Sequence, residues 1–103
     1  MDEPRLKCFF YTAFWSKSYE TLLPFLVFLK QKHASWCDIE EILIDKDPEK
    51  AIMDCVTEIP CFIFYNNTNR LKSFSYIGSE KATIESFFLK VRDSFLDLDS
   101  DKT

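Results

Sequence analysis

Two short stretches of this sequence are apolar at nearly every position, and that pattern restricts the fold more than any other feature. Residues 6–13 form one stretch and residues 61–65 form the other. A strand with one face in water alternates apolar and polar side chains, whereas a strand covered on both faces does not need to. Both stretches therefore predict central strands of a sheet that carries helices on its two faces.

The hydrophobic pattern of the rest of the sequence predicts the element order β-α-β-α-β-β-α. Residues 37–45 and 71–77 read as further strands, and the second of these has the polar side chains of an exposed edge. Because a strand–helix–strand connection is right-handed and parallel and a short turn makes a hairpin, the sheet should be mixed. We expect an α/β domain over residues 6–95, with a four-stranded mixed sheet flanked by helices on both faces, and an acidic tail over residues 96–103.

Helical spacing predicts which side chains of each helix are buried. Ser16 is a good N-cap for the first helix, and Asp47 with Pro48 at the first position begins the second. The predicted buried positions, from the first helix to the third, are Tyr19, Leu22, Leu23, Leu26 and Leu29, then Ala51, Ile52, Cys55 and Val56, then Ile84, Phe87, Phe88, Val91 and Phe95.

Charge and hydropathy exclude several classes of function. The net charge of −4 without a basic cluster argues against nucleic-acid binding. No apolar run is long enough to span a membrane. The acidic start, without a cleavage site of small residues, argues against a signal peptide, so we expect a cytoplasmic protein with reduced cysteines.

The segment between the first strand and the first helix carries a family resemblance. Its sequence is Trp15-Ser16-Lys17-Ser18-Tyr19, and it resembles the active-site turn of thioredoxins, in which Trp precedes Cys-x-x-Cys at a helix start. Ser16 stands at the first cysteine position and Tyr19 at the second. Pro24, eight residues after Ser16, matches the family's helix proline, and Pro60, 44 residues after Ser16, matches its cis-proline.

The resemblance covers roughly residues 6–92 and implies a minimal thioredoxin fold without its usual chemistry. Serine does not ionise usefully at pH 7 without a base, and Tyr19 cannot resolve a mixed disulfide. The family's buried acid falls at Phe10, and the lysine that partners it falls at Glu41. These four departures argue against dithiol exchange, so we assign no catalytic residue.

The cysteines supply the rival interpretation, an atypical oxidoreductase that works through one thiol. Cys61 follows Pro60 directly and could be reactive, although a buried strand cysteine is the more common case. Cys8 and Cys55 also fall at apolar positions, which leaves Cys37 as the most plausible exposed thiol. No Cys-x-x-Cys pair exists, so we expect no metal site, and we expect no cofactor.

The resemblance also predicts a surface that binds other proteins. In thioredoxins the cis-proline exposes an edge of backbone beside the tryptophan, and an extended peptide is held there. The predicted function is therefore redox-inactive binding of a protein or extended peptide, with glutathione as a possible alternative ligand. The predicted binding residues are Phe14, Trp15, Ser16, Lys17, Tyr19, Ile59 and Pro60.

Overall fold

The computed structural model describes the backbone of residues 6–66 and 69–101 and the side chains of residues 6–66 and 75–95. The order β-α-β-α-β-β-α is as predicted. The elements are β1 (Leu6–Thr12), α1 (Tyr19–Lys32), β2 (Cys37–Leu43), α2 (Pro48–Met53), β3 (Cys61–Asn66), β4 (Asn69–Ile77) and α3 (Lys81–Asp101).

The four strands form one mixed sheet in the order β2-β1-β3-β4. β1 runs parallel to β2 and antiparallel to β3, and β3 is antiparallel to β4. The two stretches with apolar side chains on both faces, β1 and β3, are thus the central strands. This arrangement confirms the predicted fold class, and it places β4 at an edge as expected.

Each face of the sheet has its own core because β1 and β3 send alternate side chains to opposite faces. Phe10 and Phe62 stack at 4.6 Å between ring centroids on the face that α1 and α3 cover. Tyr11 and Ile63 lie in the smaller core on the opposite face, where α2 contributes Ala51. The predicted face of α3 does pack on the larger core, through Ile84, Phe88 and Val91, with Phe87 and Phe95 partly buried.

The turn from α1 to β2 is closed by a buried histidine. The His33 carbonyl accepts the amides of Trp36 and Cys37, at 3.2 and 3.0 Å. The Trp36 indole nitrogen, Nε1, donates to His33 Nδ1 at 3.0 Å, and the His33 ring stacks on Phe88. Because Nδ1 accepts a hydrogen bond, a neutral His33 carries its proton on Nε2. Nε2 is itself buried and has no hydrogen-bond partner among the described residues.

The first helix begins later than we predicted. Ser18, not Ser16, occupies the N-cap position, and its side chain makes no capping hydrogen bond. The reason is local: the Ser16 amide donates to the Ala13 carbonyl and the Tyr19 amide to the Ser16 carbonyl, so two successive turns come before the helix. Leu22, Leu26 and Leu29 are buried as predicted.

Three predictions about exposure are wrong, two of them in or just after the second helix and one in β2. Asp47 caps it as predicted, since its Oδ1 accepts the Lys50 amide at 3.3 Å. Ile52, however, is 73% exposed, and Cys55 is exposed with a φ of +56° just after the helix. Cys37, predicted as the exposed thiol, is buried in β2. The helix is only six residues long, so helical spacing could not define its buried face.

The last helix is longer than we predicted. It continues to Asp101, so the segment expected to be an acidic tail from residue 96 is helical as far as Asp101.

Residues 67–68 of the predicted hairpin turn and residues 102–103 lie outside the described part of the chain. Within that part, no helix is both long and apolar enough to cross a membrane.

Candidate functional site

A groove with a volume of about 430 Å³ lies where α1 begins and β3 begins. Three of its lining residues are apolar, namely Trp15, Ile59 and Pro60. The other four are polar, namely Ser16, Lys17, Ser18 and Ser79. Trp15 is 69% exposed, so its indole is available to a ligand.

The loop before β3 contributes Ile59 and Pro60 to the lining of this groove. The Ile59–Pro60 peptide bond is cis, and the Pro60 carbonyl accepts the Gly78 amide at 3.0 Å. Within the described residues, the amide and the carbonyl of Ile59 take part in no backbone hydrogen bond of a loop or turn. The main chain of Ile59 can therefore pair with an incoming peptide.

Gly78 holds the end of β4 against this loop. Its φ is +152°, a conformation that side chains disfavour, and a Cβ atom there would lie 2.7 Å from the Tyr76 hydroxyl. A larger residue would have to displace either Tyr76 or the hydrogen bond to Pro60. Gly78, the only glycine of the chain, thus helps to fix the position of Pro60 in the groove lining.

The polar lining of the groove includes Ser16, which stands at the first cysteine position of the resemblance. Ser16 and Ser18 both line the groove, and their hydroxyl oxygens are 3.2 Å apart. Neither hydroxyl caps α1, so both can also exchange hydrogen bonds with a ligand. Lys17 adds a single positive charge between them. No described histidine lies in the lining to act as a base for either serine.

Two of the predicted binding residues do not line the groove. The rings of Phe14 and Tyr19 contact each other at 5.2 Å, and the Lys46 ammonium lies 5.2 Å from the Phe14 ring centroid. Burial and the nearby carboxylates of Glu41 and Asp45 raise the pKa of the Tyr19 hydroxyl, since each disfavours a phenolate. Tyr19, at the second cysteine position, therefore lies outside the groove lining, although it follows the lining residue Ser16 within one turn of the chain.

Ser18 and Ser79 line the groove, although neither was among the binding residues predicted from the sequence. Ser18 lies inside the resembling motif and could have been included on that ground. Ser79 comes from the segment after β4, and only the three-dimensional structure brings it to the groove. Distant residues of this kind carry no local signal in a single sequence.

Phe10 stands at the position that the resemblance assigns to the family's buried acid. Phe10 is buried against Phe62, so no carboxyl group reaches the turn from β1. Cys61 is only 5% exposed and is not part of the groove lining. Burial raises the pKa of the Cys8 thiol well above its usual value, with smaller contributions from Cys37 and Cys61. The described residues include no cluster of three His, Cys, Asp or Glu side chains that could hold a metal ion.

Together these observations describe a domain with the thioredoxin-like fold, in which Ser16 and Tyr19 stand where the resemblance places the two cysteines. The sequence matches no protein-family model and no curated protein. Solved thioredoxins do match the structure. They include Deadhead of Drosophila melanogaster, at 22% identity and a TM-score of 0.77, over 85% of this chain and 82% of that one.

Two further thioredoxins show the same agreement. The protein from Trypanosoma brucei brucei has 17% identity and a TM-score of 0.76, over 90% of this chain and 80% of that one. The protein from Fasciola hepatica has 17% identity and a TM-score of 0.75, over 85% and 82% of the two chains. The fold is therefore that of the thioredoxins, and identities this low carry no conclusion about activity.

Proposed function

We propose that this protein is a redox-inactive thioredoxin-like domain that binds an extended segment of another protein in the groove between Trp15 and Pro60. The observation that carries the proposal is the survival of the groove without the thiols. Its apolar lining residues are present, and the main chain of Ile59 has no loop hydrogen bond within residues 6–66 and 69–101, although Ser16 and Tyr19 replace the two cysteines.

Binding in this mode needs main-chain hydrogen bonds and an anchor for side chains. An extended peptide gains affinity from the main chain of the protein and specificity from neighbouring pockets. Ile59 can supply the first, and the exposed indole of Trp15 can supply the second. Polar contacts in the same groove are available from Ser16, Lys17 and Ser18.

The burial of Cys61 and the charge of the groove lining also bear on the two alternative functions, a single-cysteine oxidoreductase and a glutathione-binding protein. An oxidoreductase that uses Cys61 alone would need that thiol at the surface, whereas it is buried in β3. Glutathione is an anionic tripeptide, and Lys17 with the two serine hydroxyls suits its charge, so it stays a candidate ligand. The cytoplasmic location remains a prediction, which cell fractionation would test.

A peptide-display selection on the folded protein tests the proposal. We would measure the dissociation constant of a selected peptide by calorimetry for the native protein, for Trp15→Ala and for Phe28→Ala. Phe28 is a matched control because it is exposed and lies on α1 outside the groove lining. We expect Trp15→Ala to weaken binding by about 2 kcal/mol, or roughly 30-fold, and Phe28→Ala to leave it unchanged.

The same calorimetry separates the outcomes. If Trp15→Ala binds the selected peptide as tightly as the native protein, while circular dichroism shows it folded, the groove is not the interface. If reduced glutathione binds with the same dependence on Trp15 and no peptide does, the ligand is the tripeptide and the proposal is wrong.

A further inference from the structure

The strand β2 forms an edge of the sheet, and its outward hydrogen-bonding groups can be identified. The Leu6 amide donates to the Trp36 carbonyl at 3.0 Å, and the Ile44 amide donates to the Thr12 carbonyl at 2.9 Å. With the parallel register of β1 and β2, these bonds direct the even-numbered residues of β2 toward β1. The amides and carbonyls of the odd-numbered residues, Ile39 and Glu41 among them, therefore point away from the sheet.

The outward main-chain groups at the two ends of β2 are hydrogen-bonded, whereas those at its centre have no such bond within the described residues. The Cys37 amide donates to the His33 carbonyl, and the Leu43 carbonyl accepts the amides of Lys46 and Asp47. Within residues 6–66 and 69–101, no strand pairs with β2 besides β1, and no loop hydrogen bond reaches the main chain of Ile39 or Glu41. Two consecutive outward-facing residues are thus available to an added strand.

The charged side chains of this edge are all acidic. Asp38 and Glu40 lie on the face that α2 covers, and both pair with one ammonium group, that of Lys7, at 3.0 Å each. Glu41 lies on the opposite face, and its Oε2 is buried without a hydrogen-bond partner among the described residues. Three carboxylates on one strand, with only the Lys7 ammonium paired to two of them among the described residues, favour a positively charged neighbour at this edge.

From the open edge and its acidic side chains, we propose that β2 binds an extended, positively charged segment of a partner protein as a fifth strand. This surface is separate from the groove and does not depend on the function proposed above. The added strand pairs with the main chain of Ile39 and Glu41. It places a lysine or arginine beside Glu41, so that its positive charge lies next to the carboxylate of that residue.

A second copy of this chain is a poor occupant of the same edge. Antiparallel self-pairing that uses Ile39 and Glu41 has three registers. They set Glu40 opposite Glu40, Asp38 opposite Glu40, or Glu41 opposite Glu41. Like charges directly opposite each other destabilise paired strands, so each register is disfavoured. The acidic side chains thus favour a basic partner over a homodimer.

The test uses a heptapeptide of sequence TVKKVKT, which in antiparallel register sets lysines opposite Asp38, Glu40 and Glu41. We expect calorimetry to detect binding with a dissociation constant below about 1 mM, and the glutamate analogue TVEEVET to bind at least about tenfold more weakly. Amide chemical shifts should move at Ile39 and Glu41. The variant Glu41→Gln should weaken binding about threefold or more, whereas Glu49→Gln, an equal change of charge on α2, should not.

N-methylated peptides test the main-chain pairing directly. Methylation of the amides of the third and fifth peptide residues, which face Glu41 and Ile39, should abolish binding. Methylation of the fourth amide, which points away, should not. The proposal is overturned if the lysine and glutamate peptides bind equally, if neither binds at about 1 mM, or if the position of the methyl group has no effect. It is also overturned if sedimentation shows a dimer that forms through β2.

Discussion

Acidification should destabilise this protein through His33, and the geometry of the α1–β2 turn sets the direction and size of the effect. Burial lowers the pKa of His33, the Lys32 and Arg92 charges lower it further, and Glu85 raises it less than these together lower it. The native imidazole therefore stays neutral at pH values where the unfolded one, with a pKa of about 6.5, is already protonated. Stability is complete above that pH and is lost as the pH falls toward the native pKa.

The size of the loss follows from proton linkage. Between the unfolded and native pKa values, the free energy of unfolding falls by up to about 1.4 kcal/mol per pH unit. Protonation also removes the acceptor at His33 Nδ1, so the Trp36 indole N–H, 3.0 Å away, would face another N–H group. A buried donor left without a partner costs about 1–3 kcal/mol, so the loss of this hydrogen bond adds to the cost of protonating the native state.

The measurement is urea unfolding followed by circular dichroism between pH 8 and pH 5, for the native protein and for His33→Gln. Glutamine keeps an oxygen that can accept the indole hydrogen bond, but it does not titrate. The carboxylates titrate in both proteins, so the difference between the two stabilities isolates His33. We expect the native protein to lose stability relative to the variant below about pH 6.5. A difference that stays constant across the whole range would refute this reasoning.

Three further outcomes follow from the cysteines and from their absence in the active-site turn. The protein should not accelerate the reduction of insulin by dithiothreitol, because Ser16 and Tyr19 supply no thiol; turbidity that rises faster than in the uncatalysed reaction would contradict this. The double variant Ser16→Cys, Tyr19→Cys should form a disulfide under mild oxidation, because the positions match the family's cysteine pair; a folded variant in which mass spectrometry finds only thiols would show that the motif is misaligned. Iodoacetamide should modify Cys55 first in the native protein, because the other three cysteines are buried; peptide mapping that finds Cys37 or Cys61 modified first would contradict the exposures described above.

The order of the elements and the fold class could be predicted because the central strands carry an unusual signal. Side chains in β1 and β3 are apolar on both faces, and this pattern depends only on local sequence. The long helices α1 and α3 likewise reveal their buried faces through helical spacing. The resemblance at Trp15 and Pro60 then located the groove, since both residues do line it.

The errors arose where local sequence carries little information. The six residues of α2 are too few to define a face, so the exposed thiol was assigned to Cys37 and not to Cys55. The two turns before α1 depend on the path of the chain between Ala13 and Tyr19. Because of them the N-cap position is Ser18 and not the predicted Ser16. Ser79 reaches the groove only through the sheet topology, which residues near it in the sequence do not reveal.

The two tryptophans of this chain lie in opposite environments, and that difference makes them separate optical reporters. Trp36 is 6% exposed among the aromatic side chains of the larger core, whereas Trp15 is 69% exposed in the groove. An indole in an apolar environment emits at shorter wavelength than one in water, and iodide quenches only the indole that it can reach. Trp36 emission therefore follows unfolding, and protection of Trp15 from iodide follows occupation of the groove, without any added label.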